Sequence, residues 1–169
     1  LDTHTKNHLK SSAMRNNIKI GIIGGSGMED PAFIADYSSK SVTTPYGEPS
    51  SELIIGTVAD VPVVILSRHG PGHAINPTNV NYRANIRALK EAGCTHILAV
   101  TACGSLRKRI EPGHFVFPDQ FIDRTTKRIS TFFDGSDVQH FSMGSPFSSQ
   151  LCACLVASCN KLGFAYHDG

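Results

Sequence analysis

The 169-residue chain reads as an α/β fold, and three stretches predict it. Residues 18–23 form a β-branched run that enters Gly24-Gly25-Ser26-Gly27. Residues 53–58 and 61–66 are two apolar runs separated by Ala59-Asp60. A strand, a helix and a second strand then succeed one another between Val61 and Thr101.

The first run reads as a buried strand, and the glycine-rich turn at its end suits an anion. Without Cβ atoms the backbone N–H groups can converge, and Ser26 adds a hydroxyl donor, as a phosphate cradle needs. A dinucleotide fingerprint is the competing reading and its spacing fails. Counted from Gly25, Gly27 completes Gly-x-Gly but Asp30 stands where the third glycine belongs. Asp30-Pro31 then predicts an N-cap and a first helical position, opening a short helix through Asp36. Residues 37–51 are rich in Ser, Thr, Pro and Gly and read as a loop with a turn at Pro45-Tyr46-Gly47.

Residues 53–58 and 61–66 predict an antiparallel hairpin, with Pro62 tolerable near a strand start. The second strand runs into Ser67-Arg68-His69-Gly70, a second place where donors meet at a strand end. Residues 79–92 predict a helix with Tyr82, Ile86 and Leu89 as its apolar stripe, supported by Ala84 and Ala88, and Gly93 as its stop. Residues 95–101 form a continuous apolar run, which predicts a central strand covered on both faces. In such a strand–helix–strand unit both strands end at the same edge, so Ser26, Arg68, His69 and Thr101 can converge.

Further on, residues 114–118 read as a short strand and residues 119–145 as a long polar loop. Ser145-Pro146 predicts the start of a helix to Leu162, striped by Leu151, Leu155 and Leu162 and stopped by Gly163. A strand is expected to begin at Phe164 and to be cut short at Gly169. Residues 1–17 are polar and aperiodic and read as a flexible leader or added extension.

Composition narrows the functional classes. With 40% hydrophobic and 18% charged residues the chain is an ordinary globular sequence. A formal charge of +2, with its basic residues scattered, predicts no nucleic-acid partner. No apolar run approaches the roughly 18 residues of a membrane span, so a cytoplasmic protein is expected. Five cysteines at irregular spacing fit neither a disulfide framework nor a zinc site and predict reduced thiols, with Cys152 and Cys154 as small packing residues.

Four separated motifs also resemble a known family. Residues 20–27, Arg68-His69-Gly70 with Pro77 and Asn81-Tyr82, Thr101-Ala102-Cys103-Gly104-Ser105-Leu106, and residues 119–125 resemble the 5′-methylthioadenosine phosphorylase branch of the purine nucleoside phosphorylases. The resemblance spans residues 18–169 and implies the N-terminal part of one domain: a twisted mixed β-sheet flanked by helices, cut short at the C-terminus. It implies a homotrimer in which phosphate cleaves 5′-deoxy-5′-methylthioadenosine to adenine and 5-methylthioribose 1-phosphate, with no metal or organic cofactor. By the same resemblance Ser26, Arg68, His69, Thr101 and the Ala102 N–H hold phosphate, and His140 reaches a neighbouring subunit's 5′-substituent.

The family's purine-side aspartate and the methionine beneath the sugar lie in its C-terminal part. The resemblance therefore implies a phosphate cradle without a base site, no catalytic acid among these residues, and no activity for them alone. Two alternatives stay open at this point: a shortened, non-catalytic chain that binds phosphate or a complete subunit, and a phosphorylase of 6-oxopurine nucleosides.

Overall fold

A computed structural model describes residues 18–25 and 33–169 of the chain. It divides into two compact units, one ending at Ala102 and the other running from Cys103 to Gly169. The expected leader, Ser26, and the start of the helix expected from Asp30 lie outside the described residues.

The first unit is built on a five-stranded sheet of order β2-β3-β4-β1-β5. Its strands are β1 (Ile20–Gly24), β2 (Ala35–Lys40), β3 (Leu53–Val58), β4 (Val61–Ser67) and β5 (His96–Ala99). The predicted hairpin is present as β3 and β4, and Ala59 and Asp60 in its turn have φ of 46° and 65°. Both angles have the sign that a two-residue turn of matching twist requires. β4 and β5 both run parallel to β1, with Gly24 opposite Ser67 and Ile23 opposite both Leu66 and Ala99. The sheet is therefore mixed, and three strand ends share one edge.

Helix α1 (Tyr82–Glu91) covers one face of this sheet. Ala88 and Leu89 pack with Ile23, Leu53, Val64 and Leu66, while Val63 and Ile65 on the opposite face meet Ile34. The helix is capped by the Asn81 side chain, which accepts from Ala84 N at 3.2 Å and donates to Tyr46 O at 2.7 Å. Its buried stripe is Ala84, Asn85, Ala88 and Leu89. Tyr82, expected on the stripe, instead donates its hydroxyl to Pro77 O at 3.0 Å.

Two further expectations for this unit are overturned. Ala35-Asp36, assigned to a helix, and the residues after them, assigned to a loop, form β2, which is exposed throughout. Such a polar strand has no periodicity of its own; its order comes from pairing with β3, with a register shift between Ala35 and Ser38. Ser39 and Ser41 donate to the Glu52 carboxylate beside that pairing and hold it below the usual carboxylate range. Second, β5 stands at an edge of the described sheet and is at most half-buried, while β4 and β1 take the centre. A run of apolar residues reports cover on the faces, not the number of hydrogen-bonded neighbours.

The second unit holds β6 (Phe115–Phe117), α2 (Ser149–Leu162) and β7 (Tyr166–Asp168), with β6 and β7 parallel. The N-cap of α2 is Ser148, three residues beyond the expected Ser145, and Gly163 closes it at φ 73°. Its inward stripe is Leu151, Cys152, Leu155, Val156 and Cys159, whereas Leu162 is exposed. Cys154 is exposed as well, so of the two cysteines expected to pack only Cys152 turns inward; all five thiols are free. The strand expected at Phe164 starts two residues later. Residues 119–145 form neither helix nor strand, as expected, yet they display Phe121, Ile122, Val138 and Phe141 to solvent.

Asn85 is the polar member of the α1 core. It accepts from Ser50 N at 2.8 Å and donates to Ser50 Oγ at 2.9 Å, fully buried. Asn85→Ala leaves both Ser50 groups without partners, and a loss of about 1–3 kcal/mol is expected in urea unfolding. Leu89→Ala empties core volume instead and should cost about 2–5 kcal/mol in the same measurement.

Candidate functional site

The shared edge of β4, β1 and β5 is where the functional side chains gather. Arg68 follows β4 directly, and its backbone N–H extends the ladder to Gly24 O at 3.0 Å. Its side chain then crosses the end of β1 towards β5. Nη1 donates to Val100 O at 3.1 Å, Nη2 to Thr101 Oγ1 at 3.0 Å, and Nε to His69 Nε2 at 3.2 Å. Of the five guanidinium N–H groups, these bonds leave one on each Nη.

The crossing needs an empty place at Gly25. A Cβ there would stand 2.9 Å from Arg68 Nη2 and 3.4 Å from Val100 O. The guanidinium thus lies against a bare backbone.

The segment after Arg68 folds back to grip His69. His69 Nδ1 meets Ile75 O at 2.8 Å, and Ile75 N donates to His69 O at 2.9 Å, so one residue closes on both ends of the histidine. Between them a short 3-10 turn (Pro71–His73) brings the His73 ring to 4.6 Å from that of His69, centroid to centroid. The turn is entered through Gly70 at φ 72° and ψ 174°, a conformation open to glycine almost alone.

Arg68, His69 and Thr101 are therefore brought together, with Ala102 next in the chain and exposed. Ser26, one residue beyond Gly25, lies outside the described residues. His140 belongs to the second unit, exposed and outside any helix or strand. The roles of Gly25, Ile75 and Val100 escaped sequence reasoning. Gly25 was visible as half of a glycine pair, but Ile75 and Val100 act through backbone oxygens, which no side-chain pattern announces. Among the described residues no group of three or more His, Cys, Asp or Glu side chains could hold a metal ion.

Residues 19–169 match the family model of the phosphorylase superfamily. The chain belongs to that family. It is 52% identical over 157 residues to S-methyl-5′-thioadenosine phosphorylase of Danio rerio, covering 90% of this chain and 56% of the relative. The enzyme of the same name from Ciona intestinalis is 52% identical over 165 residues, covering 95% and 59%. Methylthioadenosine phosphorylase from Schistosoma mansoni in its apo form superposes with a TM-score of 0.85 at 42% identity, covering 90% of this chain and 62% of that one. A mutant of the Schistosoma enzyme in complex with methylthioadenosine gives a TM-score of 0.85 at 41% identity, covering 90% and 61%. The chain thus spans less than two thirds of the length of these relatives. Its fold is that of the nucleoside phosphorylases.

Two substitutions test the construction of the edge. Gly70→Ala forces a side chain into a glycine conformation, with its Cβ 3.0 Å from Ser50 O, and a loss of roughly 1–3 kcal/mol is expected by thermal or urea unfolding. Gly25→Ala meets only the movable end of Arg68 at under 3 Å and is expected to leave stability within about 0.5 kcal/mol of the parent, while displacing the guanidinium. An unchanged urea midpoint for the Gly25→Ala protein, beside a shifted Arg68 side-chain signal in ¹⁵N–¹H spectra, would separate the two effects.

Proposed function

We propose that this edge binds inorganic phosphate for the phosphorolysis of 5′-deoxy-5′-methylthioadenosine, giving adenine and 5-methylthioribose 1-phosphate. The observation that carries the proposal is the Arg68 guanidinium, held by three hydrogen bonds at the ends of β4 and β5 with one N–H left on each Nη. A planar pair of donors matches two oxygens of a phosphate. Ser26, Thr101 and the Ala102 N–H complete the cradle beside the Arg68–His69 pair, and His140 serves the 5′-substituent in a neighbouring subunit of a homotrimer. The similarity to enzymes named for methylthioadenosine supports the substrate.

The chemistry follows from charge. Cleavage of an N-glycoside develops positive charge on the sugar, so a phosphate dianion held beside the anomeric carbon is both nucleophile and electrostatic partner. Phosphate is then a co-substrate, and no metal or organic cofactor is required. Such a reaction belongs to purine and methionine salvage in the cytoplasm, without nucleic acid or membrane as partner. No described helix is long and apolar enough to cross a membrane.

Isothermal titration with inorganic phosphate tests the cradle. Arg68→Ala should weaken binding by about one to two decades, the equivalent of roughly 1.5–3 kcal/mol for a charged hydrogen-bonding group. Arg68→Lys keeps the charge and loses the fork, and should fall between the two. Release of adenine from methylthioadenosine by the intact protein should require phosphate and vanish with Arg68→Ala. A preference for inosine in that assay would assign the site to 6-oxopurines instead.

A further inference from the structure

His69 is held from two sides, and the two contacts decide where its proton lies. Ile75 O, 2.8 Å from Nδ1, can only accept, so Nδ1 carries the ring proton. The Arg68 Nε–H, 3.2 Å from Nε2, can only donate, so Nε2 presents its lone pair. Both ring nitrogens are thereby committed, and neither has a proton left for an anion.

We propose that His69 is a positioning residue for Arg68: a neutral Nδ1–H imidazole whose Nε2 lone pair orients the guanidinium, rather than a donor to phosphate. This deepens the phosphate reading of the edge and rests on it. Each nitrogen of the guanidinium is tied to a different group: Nε to the His69 ring, Nη1 to Val100 O and Nη2 to Thr101 Oγ1. Three anchors on a planar group fix both its position and its plane, so the directions of the two remaining N–H groups are set before any ligand arrives. The Ile75 clasp fixes the ring in turn, in the manner by which a backbone carbonyl sets the tautomer of a histidine.

The two roles exclude each other in this geometry. A proton on Nε2 would set two N–H groups face to face at 3.2 Å, and the contact with Arg68 would break. His69 can orient the arginine or donate to the anion, but not both.

Protein labelled with ¹⁵N-histidine decides between them. Ring ¹⁵N–¹H correlations, with His69 assigned from the signal lost in His69→Gln, should show Nδ1 protonated and Nε2 bare, without phosphate and at saturating inorganic phosphate. Calorimetry on the same sample reports whether phosphate binds. A protonated Nε2 in either state overturns the proposal. If no phosphate binding is detected, the phosphate reading fails by itself, and the tautomer in the free protein still decides whether His69 orients Arg68. In a binding protein, His69→Leu should lose about tenfold in phosphate affinity, and His69→Gln, whose Oε1 can accept from Arg68 Nε, should recover to within about threefold of the parent. Equal losses in both variants would count against positioning.

Discussion

Everything at the candidate site depends on one arginine side chain crossing a bare strand end. β4, β1 and β5 run parallel, so their last residues reach the same edge, and β1 lies between the strand that carries Arg68 and the strand that leads to Thr101. A side chain at Gly25 would obstruct the crossing at 2.9 Å. Because β1 ends in glycine, the guanidinium can bond to Val100 and Thr101 and still keep donors for a ligand. Gly25 therefore serves the site by what it leaves out.

The supports of this edge are of two kinds. Beneath it, α1 presses Ala88 and Leu89 onto Val64 and Leu66, so that the strand leading to Arg68 is the most deeply buried of the sheet. Behind it, the turn from Gly70 to Ile75 holds His69 by two hydrogen bonds to Ile75, with the His73 ring beside it. The first kind gives a rigid base through close packing, and the second gives direction through hydrogen-bond geometry. Directional supports decide where the guanidinium presents its remaining donors, which a shift of an ångström would change.

The second unit uses different means. Its two short strands are joined by ladder bonds and by Phe117 with Tyr166 at 6.2 Å between ring centroids, and Phe164, just before β7, meets Phe115 at 5.7 Å. The stretch between β6 and α2 exposes apolar side chains in a region that reads as polar by composition. Averaging over many residues conceals single aromatic positions, which is why that surface was not legible beforehand.

The sequence by itself determined the strands and helices whose periodicity is strong, the β3–β4 hairpin, the caps at Gly93 and Gly163, and the nomination of Arg68, His69 and Thr101. Those features are local: burial imposes a repeat of two or 3.6, and a helix end imposes a glycine. Only the tertiary structure decided that the polar residues 35–40 pair as a strand, that β5 lies outside β1, and that Ser148 rather than Ser145 caps α2. It alone joined Arg68 to Val100 O and to His69 Nε2, and His69 Nδ1 to Ile75 O. The physical reason is that backbone carbonyls are the same in every residue; which of them faces a given side chain is a property of how the chain is folded, and no choice of residue type records it.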